Sequence, residues 1–393
     1  MTTAYIISSV RTAVGKAPSG TLRNIHPADL GATPVRAAID RVTGLDPQII
    51  DDLIIGCTTP ESAQGGNLGR MIAQRANLPD QVPGCTVNRC CASGLQTIAM
   101  ANQAIIAGQA EIIVAGGTES MSLVPISHSV GDANPEMIDH KPSIYLNMGI
   151  TAENVAQKYN ISRIQQDEFA FQSHQRAIAA IQAGKFQEEI VPFMFKETLY
   201  KDGETYAVEK VFETDEGPRA NTTLAVIGSL RPVFRANGTV TAGNSSQTSD
   251  GAAAVLVMSE QKVKELGLQP MARLLGYTVA GVPPEIMGIG PIVAIPKVLQ
   301  QVGLEIKDIG LFELNEAFAA PAVACIRELE LNQAIVNVNG GAIALGHPLG
   351  CTGAKLTVTL LYEMKRRGIR YGICSMCIGG GMGAAGVFEN LML

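Results

Sequence analysis

The chain of 393 residues contains no tryptophan, and aromatic residues make up only 5% of it. Stacking platforms for nucleic-acid bases are therefore not expected. Positive charge is in deficit as well, with 30 Lys and Arg against 36 Asp and Glu and a formal net charge of −6. That balance argues against a nucleic-acid partner. It leaves room for an anionic ligand, which local Arg, Lys or a helix N-terminus can hold. Eight cysteines are too few for a disulfide scaffold, and the reducing cytoplasm is the expected compartment. Only one Cys-x-x-Cys occurs and no histidine pair has ligand spacing, so no metal site is expected. No apolar run free of charge and glycine approaches the ~18 residues of a membrane span. The opening segment through Arg11 lacks the design of a signal peptide, and the final Leu391-Met392-Leu393 is not a peroxisomal address.

Glycine is in excess, with 41 residues against a usual ~7%. Many of these glycines fall at the ends of strand-like runs, where they permit tight turns around a site. Strand-like runs at 5–9, 52–56, 84–87 and 111–115 alternate with helix-period segments at 28–43, 66–76 and 91–107. The alternation predicts an α/β sheet with helices on its faces. Residues 123–249 change character, with Pro125, Pro135 and Pro142, a helical pattern at 151–182 and a charged stretch at 196–219. This reads as an inserted subdomain whose charges mostly form a solvated face. The α/β rhythm returns at 251–258. Val338-Asn339, a histidine loop, a helix and the strand 373–377 then echo Val87-Asn88, a cysteine loop, a helix and the strand 112–115 with its following Gly116-Gly117. A duplicated strand–loop–helix–strand unit would bring equivalent loops together at a pseudo-twofold axis. Residues 1–122 with 250–270 would form one half, 271–393 the other, and 123–249 would lie over their junction.

Three groups stand out at those loops. Cys91 lies at the mouth of the helix 91–107, where free N–H groups and the positive dipole end favour thiolate. An isolated cysteine on an apolar helix is more often a small core residue; its neighbour Cys90 is read that way. His347 lies in Gly340-Gly-Ala-Ile-Ala-Leu-Gly-His347-Pro-Leu-Gly350, and its neutral imidazole is suited to take a thiol proton. His26, His128, His140 and His174 have no comparable glycine neighbourhood. Cys377 ends a buried strand and precedes Gly379–Gly381, whose N–H groups can face a developing oxyanion. Cys374 with Cys377 is alternatively a redox pair or half a zinc site. Asn315, at the end of a strand, either orients a water or caps the next helix.

Together the motifs resemble the thiolase family. They are Val87-Asn-Arg-Cys-Cys-Ala-Ser-Gly-Leu-Gln96, Gly116-Gly-Thr-Glu-Ser-Met121, Met148-Gly-Ile-Thr-Ala-Glu153, Thr241-Ala-Gly-Asn-Ser-Ser-Gln-Thr-Ser-Asp-Gly251, Asn315-Glu-Ala-Phe318 and the two glycine-rich loops. The resemblance spans essentially the whole chain. It implies two duplicated five-stranded α/β halves in a five-layer α-β-α-β-α sandwich, with a loop domain over the site. It implies Cys91 as the acylated nucleophile, His347 as its activator and Cys377 as the acid/base at the α-carbon. Asn315 would hold a water that forms one oxyanion hole with His347, and the N–H groups of Cys91 and Gly379 would form the other. Coenzyme A would be a co-substrate rather than a resident cofactor. Arg219 and Ser246 would touch it, and Met148, Phe234, Ala242 and Phe318 would line its tunnel. A homodimer or dimer of dimers is implied, with a hydratase/dehydrogenase as a possible partner.

Biosynthetic family members carry histidine where this chain has Asn147. That difference and the run Gly281-Val-Pro-Pro-Glu-Ile-Met-Gly-Ile-Gly-Pro291 point to the degradative 3-ketoacyl-CoA type, which acts in fatty-acid β-oxidation. The alternatives are an acetyl-CoA C-acetyltransferase and, more remotely, a non-catalytic lipid- or CoA-binding relative. A ketoacyl synthase would lack Cys377 before the glycines.

Overall fold

A computed structural model describes residues 2–126, 133–201 and 204–393; His128 lies outside them. The strands are β1 (Ala4–Arg11), β2 (Gly15–Lys16), β3 (Asp52–Gly56), β4 (Cys85–Val87), β5 (Ile112–Ser120), β6 (Phe193–Lys201), β7 (Glu204–Phe212), β8 (Ser249–Ser259), β9 (Ala272–Gly281), β10 (Leu311–Leu314), β11 (Tyr371–Ile378) and β12 (Met382–Asn390). The helices are α1 (Pro27–Asp40), α2 (Leu68–Arg75), α3 (Ser93–Ile106), α4 (Pro135–His140), α5 (Met148–Lys158), α6 (Arg163–Gln182), α7 (Leu224–Gly228), α8 (Glu260–Glu265), α9 (Gly290–Val302), α10 (Ala319–Glu328), α11 (Ala342–Leu345) and α12 (Leu349–Arg367).

The main sheet runs β10-β11-β12-β9-β1-β8-β5-β3-β4, with β2 added to β8. Its centre is a single pairing, Ile6 with Ala272, between β1 and β9. Outward from that point the two sides repeat one pattern. β1–β8 and β8–β5 are antiparallel, followed by parallel β5–β3 and β3–β4. β9–β12 and β12–β11 are antiparallel, followed by parallel β11–β10. Where the first half has β4, the second has one parallel bridge, Val336 to Phe312. The fold is mixed α/β, and its topology carries the duplication read from the motifs.

Three apolar cores define five layers. One joins α1 and α2 to the first half of the sheet through Val35, Ile39, Ile72, Val114 and Leu256. A second places α3 and α12 between the two halves, with Ile98, Val358, Leu360, Ile113 and Met376 in contact. A third packs α9 and α10 on the outer face of the second half, through Ile295, Val298, Ile326, Phe312 and Val387. The central helices cross backbone to backbone. A Cβ on Gly94 would stand 2.7 Å from Ala354 N, and one on Gly353 would collide with Leu95 N. Only glycine allows that approach, and it holds the Cys91 and His347 loops side by side.

Three expectations need correction. The helical pattern at 151–182 is two helices, α5 and α6. Asn160 takes a left-handed φ of 52°, and Ser162 with Gln165 forms a capping box that starts α6. Gly116 and Gly117 are not a turn after the strand, because β5 continues through them to Ser120. They lack a Cβ because Ala253 O and Gly350 O press against them. The charged stretch at 196–219 is not wholly solvated. Its β6–β7 hairpin is largely exposed. Asp215, however, is buried and takes both Nη1 and Nη2 of the fully buried Arg11 at 2.8 Å. Arg11 Nε reaches Glu189 at 2.7 Å, so one guanidinium ties β1 to the excursion.

Candidate active site

The cysteine loop is braced by its own polar residues. Asn88 Oδ1 accepts from Cys90 N at 2.8 Å, and its Nδ2 donates to Thr58 O at 2.8 Å. Ser93 Oγ accepts from Arg89 N and donates to Cys90 O. Cys90 adopts a φ of 44°, a conformation costly for a residue with a side chain. The turn presents Cys91 just ahead of α3, two residues before the helix begins. The Cys91 sulfur faces its own N–H and that of Gly379, and both favour the thiolate. Burial and the neighbouring Cys377 and Cys90 outweigh them and push the thiol pKa up. The expected lowering by the helix end is therefore overridden by desolvation, and the resting group is a neutral thiol.

His347 is 4% exposed, and burial with a secondary contribution from Lys355 lowers its pKa to about 3. The ring is neutral at ordinary pH. Its tautomer follows from its contacts. Thr352 Oγ1 donates to Pro348 O at 2.9 Å, so it accepts from His347 Nδ1 at 2.6 Å. Nε2 is left with its lone pair, 3.3 Å from Asn315 Nδ2. Asn315 does not cap the next helix, because Phe318 occupies the N-cap of α10. Its N–H bonds Ser375 O, and its Oδ1 is buried without a protein partner.

Cys377 lies one residue before the end of β11 and packs with Met287, Ala317, Met148 and Phe318. Burial pushes its thiol pKa up to about 12. The strand then turns through Gly380 and Gly381, at φ of 83° and 88°. A Cβ on Gly379 would meet only Met148 Sδ, at 3.7 Å, so the backbone there lies beside open space next to Met148.

The residues expected to touch a ligand fall into two groups. Met148 and Phe318 pack on Cys377, and Phe234 meets Phe318 edge to face at 6.1 Å. Arg219 and Ala242 line a separate small cavity with His174, Gln247 and Ile343. Ser246, half-buried, donates its N–H to Ala317 O, on the side of the first group. Gln247, which lines that cavity, also meets the histidine loop, because its carbonyl accepts from His347 N at 3.2 Å. A wider groove along α1 and β6, lined by His26, Arg36, Phe193 and Lys196, contains none of the candidate residues. Sequence reasoning missed Thr352, Gln247 and Met287. Thr352 was discoverable five residues after the histidine, where a hydroxyl one helical turn into α12 can face back.

Two family models match the chain, the thiolase N-terminal domain over residues 4–261 and the thiolase C-terminal domain over 268–390. The chain belongs to the thiolase family. This thiolase is 54% identical to the 3-ketoacyl-CoA thiolase of Bacillus subtilis (strain 168), over 99% of this chain and 100% of that one. It is 48% identical to the 3-ketoacyl-CoA thiolase of Yersinia pestis (strain Pestoides F), over the full length of both. The crystal structure of the Bacillus anthracis acetyl-CoA acetyltransferase superposes with a TM-score of 0.91 at 42% identity, covering 100% of this thiolase and 99% of that chain. Among the described residues, no group of three or more His, Cys, Asp or Glu is arranged to hold a metal ion. No helix among them is long and apolar enough to cross a membrane.

Proposed function

We propose that this thiolase cleaves 3-oxoacyl-CoA with CoA, giving acetyl-CoA and a shortened acyl-CoA through a thioester on Cys91. The observation that carries the reading is the crossing of α3 and α12 at Gly94 and Gly353, which sets the Cys91 loop beside the loop of His347, whose ring keeps its Nε2 lone pair. A carbonyl carbon bonded to the Cys91 sulfur would place its oxygen toward the N–H groups of Cys91 and Gly379.

The steps follow from the protonation states. His347 Nε2 takes the Cys91 proton as the sulfur attacks the 3-keto carbon. The C2–C3 bond breaks, and the electron pair goes to the departing acetyl-CoA carbon. Cys377, a neutral thiol, protonates that carbon and becomes thiolate. The enolate oxygen formed on the way is held by His347 and a water on Asn315, whose partnerless Oδ1 supports that role. Incoming CoA gives its thiol proton to Cys377, and its sulfur attacks the thioester. Cys91 leaves as thiolate and recovers its proton from His347.

CoA would enter between the two ligand groups. Met148, Phe234 and Phe318 would flank pantetheine beside Ser246, and Arg219 and Ala242 would lie toward the nucleotide. Coenzyme A is a substrate here, not a resident cofactor. A degradative role in β-oxidation in the cytoplasm is favoured by the relatives named 3-ketoacyl-CoA thiolase and by Asn147, whose side chain caps α5 by accepting from Gly149 N. We assign a homodimer, alone or paired, and leave a hydratase/dehydrogenase as the partner to test. The structural likeness to an acetyl-CoA acetyltransferase favours a second reading, the making or cleaving of acetoacetyl-CoA.

The deciding experiment is CoA-dependent thiolysis of 3-oxoacyl-CoA esters of increasing length, with Cys91→Ala beside the wild type. Cleavage of medium and long chains by the wild type alone supports the degradative reading. Cleavage of acetoacetyl-CoA alone supports the second, and no cleavage at any length overturns both.

A further inference from the structure

Glu119, near the end of β5, is 0% exposed and takes part in none of the steps above. Among the described residues, no Lys or Arg bonds it. Its Oε2 accepts from Thr58 N and Gly350 N, both at 2.7 Å. Its Oε1 accepts from Thr59 N at 3.2 Å and Gln64 Nε2 at 2.9 Å, with Cys57 Sγ at 3.7 Å. Five donors on three segments converge on one carboxylate.

One of those segments carries His347, and a second is hydrogen-bonded to the loop that carries Cys91. Gly350 lies in the first turn of α12, three residues after His347. The N-cap of that helix is Pro348, which has no side-chain acceptor, and Glu119 from the other half of the molecule takes its place. On the far side, Thr58 O accepts from Asn88 Nδ2, and Asn88 Oδ1 accepts from Cys90 N. A continuous path therefore runs from the histidine loop through Gly350, Glu119, Thr58 and Asn88 to Cys90 and the adjoining Cys91. The fit is close, because a Cβ on Gly350 would stand 2.6 Å from Cys57 Cα and 2.7 Å from Glu119 Oε2.

We infer that Glu119 is a positioning residue that sets the spacing between His347 and Cys91 across the two halves. The inference rests on the proposed roles of those two residues. A carboxylate is required because every partner is a donor. A carboxamide turns an N–H toward one of those donors, and Asp is a methylene too short to reach both sides.

The test compares Glu119→Gln and Glu119→Asp with the wild type, well below the melting temperature of each. It measures thiolysis kcat and KM, the fraction of sites that form acyl-enzyme, and the rate of Cys91 alkylation by iodoacetamide against pH. We expect kcat to fall about 10- to 100-fold in Glu119→Gln with KM within about 3-fold, and less in Glu119→Asp. Alkylation slows, and its inflection moves to higher pH, because the base is displaced. Unchanged kcat and alkylation in folded Glu119→Gln would overturn the proposal. So would a kcat loss matched by an equal loss of titratable sites. If Glu119→Gln does not fold, Glu119→Asp decides by the same readouts. Failure of the wild type to cleave any 3-oxoacyl-CoA would sink the proposed activity, whereas the alkylation profile reads loop spacing without substrate.

Discussion

The two halves of this thiolase use one strand–loop–helix–strand unit twice and end it differently. In the first half, β4 leads through the cysteine loop into α3, and β5 returns to end on the hydrogen-bonded Glu119. In the second, the histidine loop leads into α12, and β11 returns to end on Cys377 and three glycines. The helices cross at Gly94 and Gly353, so each loop faces the end of the other half's return strand. One strand end is saturated with hydrogen bonds and holds geometry. The other turns through glycines beside Cys91 and adds a thiol. Duplication therefore supplied the juxtaposition, and divergence at the loops and strand ends distinguishes the two halves.

The sharpest way to break this comparison is to remove one thiol at a time. Cys91→Ala should lose about 10⁴-fold or more in kcat and form no acyl adduct by intact mass. Cys377→Ala should lose about 10³-fold and still be alkylated at Cys91. An adduct on Cys377 in the Cys91→Ala enzyme would reverse the division of labour. Next comes the tie between the first half and the excursion. Arg11→Leu leaves Asp215 and Glu189 buried and unpaired, and should cost about 3–5 kcal/mol in urea unfolding. Thr352→Val frees the imidazole that Thr352 holds in one tautomer, so kcat should fall about 10-fold with little change in KM.

The smallest effect is on pH dependence. Burial lowers His347 to about 3 and His174 to about 4, both below the unfolded value of about 6.5. The unfolded chain therefore takes up protons first as pH falls. Stability from this source is complete above about pH 6.5 and declines toward the folded values, by up to about 2 kcal/mol per histidine at pH 5. His174→Gln should make the loss of the urea midpoint between pH 7 and 5 shallower. A slope equal to the wild type would show that His174 takes up its proton alike in both states.

The motifs made the family and the candidate groups legible because glycine, cysteine and histidine leave marks at fixed offsets. The carboxylates in the same motifs were not legible as anything in particular. Glu153 holds the N–H groups of Thr239 and Val240, Glu316 holds Ser173, Asn337 and Ile343, and Asp250 holds Ser122. Each binds a segment remote in the chain, so no local spacing announces it. The break between α5 and α6 escapes the sequence because no proline or glycine marks it and Asn160 leaves the helical region instead. The upward shift of the Cys91 thiol was missed because a helix end can be seen in a sequence and desolvation cannot.

By itself the sequence determined the alternation of strands and helices, the repeated unit and the family motifs, because these depend on residue type and short spacing. Only the tertiary structure decided that Cys91 lies against Gly379, that His347 carries its proton on Nδ1, that Arg11 is buried with Asp215, and that Glu119 joins the halves. Those outcomes depend on which distant segments exclude water from one another, and that depends on the closed fold.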